Sequence, residues 1–143
     1  MIDFKRCLEK RKLVKIGIEK DIILKEINES SDDFKRAKKS FAENEFKWTI
    51  IQTYYSMFHA TKALVYAGGY REKSHYCLMV ALEELYVNQN KLEPSYVKMF
   101  KDVMRLREDA DYGMIYSQHA AILAISNAEK FIERARVILK EFM

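Results

Sequence analysis

From Trp48 to Tyr70 the chain runs with Lys62 as its only formal charge. Within that run Ile51, Tyr54, Tyr55, Phe58, Thr61 and Val65 recur at helical spacing, with Trp48 and Met57 alongside, so the segment reads as one helix over about 45–67. A helix this apolar must be covered, either by lipid or by other helices. Gln52, Thr53, Ser56, His59, Thr61 and Lys62 are too many polar groups for a lipid-facing span. The segment therefore demands a shell of partner helices, and it belongs at the centre of a bundle.

The rest of the sequence supplies that shell. In 143 residues there are 4 glycines and 1 proline, so little interrupts helices, and one domain of this length can bury a core. Ile27, Phe34 and Phe41, broadened by Ile23 and Ala37, mark a helix over about 18–41. Ser30 or Ser31 in "NESSDD" could cap a fresh start, so this region is one helix or two. Gly68 and Gly69 end the central helix, and Ser74 caps a following helix over about 75–87 that carries Leu78, Leu82 and Leu85. Pro94 suits the first turn of a helix with Val97, Phe100 and Met104 on one side, stopped at Gly113. The last helix, from about Ser117, aligns Ala121, Ala124, Ala128, Phe131, Ala135, Ile138 and Phe142, a stripe wide enough for more than one neighbour. The fold expected is all-α, an up-and-down antiparallel bundle of four to five helices over residues 18–143. A short helical N-terminal arm, residues 1–17, precedes it.

Charge and cysteine usage narrow the setting. The formal net charge is only +4, although Lys5, Arg6, Lys10, Arg11, Lys12 and Lys15 gather in the arm and Lys35, Arg36, Lys38 and Lys39 form a second cluster. Such clusters can attract phosphate or acidic partners, but the total is that of solvated helix faces more than of a dedicated nucleic-acid binder. Cys7 and Cys77 form no CxxC and lack the density of a disulfide scaffold, so a reducing, cytoplasmic compartment is the simplest inference. No export signal or membrane span is expected.

Phosphate-binding glycine loops, GxSxG and HExxH are all absent, and His59, His75 and His119 are scattered. Neither a metal nor a cofactor is expected. Two places break local rules. The stripe of Phe100 and Met104, continued by three and then four residues, lands on Arg107 and Asp111, while Glu108, Asp109 and Asp111 crowd a C-terminal turn that disfavours negative charge. From the residues alone this is first a structural ion pair. Arg71, Lys73 and His75 stand ahead of a helix N-terminus, where an anion can dock, although a solvated loop capped by Ser74 explains them as well. His59, Tyr54 and Tyr55 read first as core or interface residues.

"KWTIIQTYYSMFHATKALVYAGGYREKSHYCL" (47–78) followed by "LREDADYG" (106–113) resembles the prokaryotic HEPN-domain proteins, small helical proteins of archaea and bacteria. The resemblance implies a helical bundle and a homodimer. It also implies a minimal nucleotidyltransferase as partner in a toxin–antitoxin type system, with nucleotide or RNA binding. Many such proteins are metal-independent ribonucleases that use an arginine followed, after four to six residues, by a histidine. Neither Arg105 nor Arg107 is followed by a histidine at that distance; Asp111 and then Tyr112 stand there. Arg71 precedes His75 with three residues between, but in the loop. A carboxylate beside an arginine is a poor substitute acid at neutral pH. The expectation is thus an interaction module with Arg71, Lys73, His75, Arg107 and Tyr112 as nucleotide- or RNA-binding candidates. The alternative is a ribonuclease toxin with Arg107, Asp111 and His75 as catalytic candidates.

Overall fold

The computed structural model describes residues 3–141; Phe142, the last member of the C-terminal stripe, lies outside them. Six α-helices and two three-residue strands follow in the order α1 (Phe4–Glu9), β1 (Leu13–Lys15), α2 (Lys20–Ala42), α3 (Phe46–Ala67), β2 (Tyr70–Glu72), α4 (His75–Leu82), α5 (Pro94–Asp111) and α6 (Gln118–Lys140). A π-helical turn, Glu83–Val87, extends α4. The chain is an all-α fold in which α3 packs against α2, α4, α5 and α6.

That centrality is visible residue by residue, since α3 is buried around most of its circumference. Its hydroxyl side chains are satisfied within the helix: Thr49 donates to Glu45 O, Thr53 to Thr49 O, Ser56 to Thr53 O and Thr61 to Met57 O. Polar groups paired in this way can be buried without the penalty of an open donor. Hydrogen bonds then tie α3 to α2, among them Ser40 with Gln52 and Ser30 with Ser56 O. As one number falls the other rises, so α2 and α3 form an antiparallel hairpin.

Ser30 is therefore an interhelical donor, buried at 0% exposure, and α2 is one unbroken helix. Helix ends follow the sequence signals elsewhere. Ser74 accepts from Cys77 N, Ser117 accepts from Ala120 N, and Pro94 opens α5. On α6, Ala121, Ala124, Ala128, Phe131, Ala135 and Ile138 are all buried, facing α2, α3 and α5. No helix among the described residues is long and apolar enough to cross a membrane.

Two features depart from the expected all-helical arm and loop. First, the arm is not helical throughout: β1 pairs antiparallel with β2, in the register Leu13↔Glu72, Val14↔Arg71, Lys15↔Tyr70. Ile16 N donates to Gly69 O and Lys73 N to Lys12 O, extending the ladder at both ends. Gly69 makes the turn out of α3 with φ +88°, a conformation that a side chain would resist. Second, Cys7 and Cys77 form a disulfide, with Cα atoms 5.8 Å apart, which corrects the reading of the two cysteines as unpaired thiols. Both residues are buried, and Phe4 packs edge-on against Tyr70 beside them.

The cross-link closes a loop of 70 residues, and constraints of that length reduce the entropy of the unfolded chain substantially. Reduction, or the pair Cys7→Ser and Cys77→Ser, should lower the free energy of unfolding by about 2–4 kcal/mol. Denaturant melts with and without reductant measure it; equal midpoints would contradict a structural role for the bond.

Candidate functional site

Arg107 lies on α5 one turn beyond Met104, on the side that faces α3. Its guanidinium carbon stands 5.1 Å from the ring centroid of Tyr54, 5.6 Å from that of Tyr55 and 5.3 Å from that of Tyr112. Three electron-rich faces thus replace much of the water that this cation gives up, each worth roughly 0.5–2 kcal/mol. Nη2 donates to the Tyr55 hydroxyl at 3.3 Å and pairs with Asp111 Oδ2 at 3.3 Å. Both polar contacts use Nη2. Nη1 has no protein partner among the described residues, and Nε is buried without one.

Tyr54 carries the arrangement further. Its hydroxyl is 3.0 Å from His75 Nδ1, and the His75 ring lies 4.6 Å from the Phe58 ring. One buried tyrosine therefore has Arg107 against its face and His75 at its hydroxyl. Burial raises the Tyr54 pKa to about 12, outweighing the opposite pull of Arg107, so the hydroxyl keeps its proton at neutral pH. It can donate to Nδ1 of the His75 tautomer protonated at Nε2. His75 also edges a cavity of about 470 Å3, lined by Tyr76, Met79, Glu83, Lys101 and Met104 among others.

Arg107, Asp111, Tyr112 and His75 are thus gathered around Tyr54 and Tyr55. Arg71 and Lys73 point elsewhere. Arg71, on β2 opposite Val14, lines a separate hollow with Lys62 and Tyr66, and Lys73 is exposed, its backbone N–H spent on Lys12 O. Tyr54 and Tyr55 are the members that sequence reasoning assigned only to core or interface. Their signal was present in the helix period, which sets Tyr54 and Tyr55 one turn before Phe58 and His59 on a helix that must be central.

Beyond Asp111 the chain turns through Met114 at φ +56°, held by Ile115 N donating to Asp109 O. Tyr112, Met114, Ile115 and Tyr116 are all exposed there. Lys47 Nζ approaches Met114 Sδ at 3.9 Å, which brings exposed Trp48 to the same region.

Fold and site together define a small helical bundle with an arginine set against three tyrosine rings. The HEPN domain family model matches residues 25–142, and the chain belongs to that family. A Methanocaldococcus jannaschii protein described as a "putative toxin" is 27% identical over 115 residues, covering 80% of this chain and 86% of that protein. An Archaeoglobus fulgidus protein described as "UPF0332 protein" is 30% identical over 106 residues, covering 70% of this chain and 81% of its own length.

The tyrosine chemistry is directly testable. The native pKa of Tyr54 lies above the ordinary tyrosine value of about 10, so folding favours its protonated form. The associated stability is complete below about pH 10 and is lost as pH rises through about 12. An ultraviolet titration should show late-ionising tyrosines, one of which disappears in Tyr54→Phe; an unchanged titration would mean that the hydroxyl is not buried as described.

Proposed function

We propose that this chain is a cytoplasmic, homodimeric interaction module of toxin–antitoxin type. Its protein partner is a minimal nucleotidyltransferase, and it binds the phosphate of a nucleotide or RNA at Arg107. The observation that carries the binding reading is the guanidinium itself: fixed by three rings and by Asp111, with Nη1 still lacking a protein acceptor. A purely structural arginine would be expected to leave no buried donor unmet, whereas Nε here is buried without an acceptor, a cost of about 1–3 kcal/mol. Tyr112, exposed at the rim, is placed to stack on a base. Support for the toxin setting comes from the Methanocaldococcus relative, and support for a self-interface from the exposed apolar rim of Trp48, Tyr112, Met114 and Ile115. The nucleotidyltransferase partner follows from the family resemblance alone. Arg71 and Lys73 belong to this reading only as outlying basic groups that could meet a longer RNA.

A second reading, metal-independent RNA cleavage, rests on one specific contact. His75 reaches Tyr54 from a different segment, so an imidazole stands near Arg107 although the spacing after Arg107 offers none. Arg107 would hold the scissile phosphate and His75 would move a proton, with Asp111 orienting Arg107.

Purified protein, its Arg107→Ala and His75→Ala variants, a mixed RNA pool and excess chelator separate the two. Under the binding reading no RNA is cut, and Arg107→Ala weakens nucleotide or RNA binding by about tenfold or more, the loss of one charge-assisted hydrogen bond. Under the nuclease reading the parent cleaves and both variants do not. Binding that survives Arg107→Ala unchanged would remove Arg107 from either role. The partner claim is tested by co-purification with an adjacent nucleotidyltransferase, and the dimer by light scattering.

A further inference from the structure

The α2–α3 hairpin assembles a second group of side chains that the Arg107 site does not use. Glu29 and Asp33 stand one turn apart on α2, His59 faces them from α3, and one ligand-type atom from each lies within 4.8 Å of the other two. All three are only partly exposed.

We propose that Glu29, Asp33 and His59 bind a divalent first-row transition metal ion. Neighbouring groups orient two of the three toward a common point. His59 Nδ1 is 2.6 Å from Glu26 Oε2, which fixes the ring and directs Nε2 toward Asp33 Oδ2 at 3.7 Å. A histidine ligand typically has its second nitrogen anchored on a carboxylate in this way. Asp33 Oδ1 is occupied by Arg36 at 2.9 Å, so Oδ2 is the oxygen left for the shared point. Glu26 in turn is held by Lys62 at 3.5 Å. Glu29 has no hydrogen bond or ion pair among the described residues, although it stands beside the Asp33 carboxylate. A half-buried carboxylate facing another carboxylate is repelled unless a cation lies between them. Ligand atoms around tetrahedral zinc are about 3.4 Å apart, given metal–ligand bonds near 2.1 Å, so rotation of the Glu29 side chain completes the set. One imidazole nitrogen and two carboxylate oxygens suit Zn2+, Co2+ or Mn2+ better than Mg2+ or Ca2+, which prefer oxygen alone. The site lies one turn along α3 from Tyr55 and stands whether or not Arg107 binds phosphate.

The test uses the full chain without reductant, so that Cys7 and Cys77 stay bonded and offer no thiolate. Zn2+ is titrated in competition with a chromophoric chelator, Co2+ binding is followed by its visible absorption, and thermal melts are run with and without metal. The parent should take up one Zn2+ per chain and melt higher with it. Glu26→Gln should weaken binding by about 10–100-fold, and His59→Ala and Glu29→Gln by at least as much. Removing exposed His119 should change nothing. Glu29→Gln also relieves the carboxylate repulsion, so without metal it should melt no lower than the parent, which keeps the test decisive if His59→Ala fails to fold. Absence of stoichiometric uptake by the parent, or equal affinity in Glu29→Gln, would overturn the assignment and leave the group as an ion-pair network.

Discussion

Everything positioned in this protein depends on α3 being buried on nearly all sides while carrying hydroxyls. A purely aliphatic helix would also pack, but it would offer no hydroxyls and so no polar groups to settle within the bundle. Thr49, Thr53, Ser56 and Thr61 instead return their hydroxyls to carbonyls of their own helix, and Ser30 of α2 reaches Ser56 O across the interface. Small side chains at Ala37 of α2 and Ala60 and Ala63 of α3 are also fully covered. Helices that meet through small, self-satisfied residues approach closely, and larger side chains project along the seams. Tyr54 and Tyr55 project toward α5 and contact Arg107, whereas His59 projects toward α2 and contacts Glu26. One helix thus sets the geometry of both polar clusters.

The arginine illustrates how competing energies resolve. A buried guanidinium with an unpartnered Nε is unfavourable by about 1–3 kcal/mol. Against this stand the faces of Tyr54 and Tyr55, each worth roughly 0.5–2 kcal/mol, a smaller contribution from exposed Tyr112, and the pair with Asp111. The balance holds the group in place without satisfying it fully. That is the combination a ligand site requires: a fixed orientation together with unused donor capacity.

What the sequence disclosed follows from which interactions are periodic or local. The cap at Ser74, the start of α6 near Ser117 and the proline start of α5 depend on residues within a few positions of each other and were readable, whereas the choice between one helix and two over α2 was not. So was the stripe that carries Phe100 and Met104 into Arg107 and Asp111, because an α-helix repeats every three to four residues. The β1–β2 ladder was not. Strands of three residues have too few alternations to register a period, and their pairing joins residues more than fifty positions apart. The disulfide was hidden similarly, since Cys spacing carries no connectivity and its partners are 70 residues apart. The grouping of His59 with Glu29 and Asp33 leaves no motif in the sequence because the three side chains are divided between two helices, joined only once the hairpin closes.

The arm acquires a mechanical meaning from these hidden contacts. His75 is exposed and makes one polar contact among the described residues, with Tyr54, so its position must come mainly from its backbone. That backbone is anchored on both sides. Upstream, β2 is paired to β1 and Lys73 N is bonded to Lys12 O; downstream, Ser74 caps Cys77 N and Cys77 is bonded to Cys7. The arm segments that supply these anchors precede residue 25, where the family match begins. A side chain drawn from a loop seldom has such immobilisation. The strand pair and the cross-link provide it, holding His75 against the Tyr54 hydroxyl while Arg107 occupies the face of the same ring.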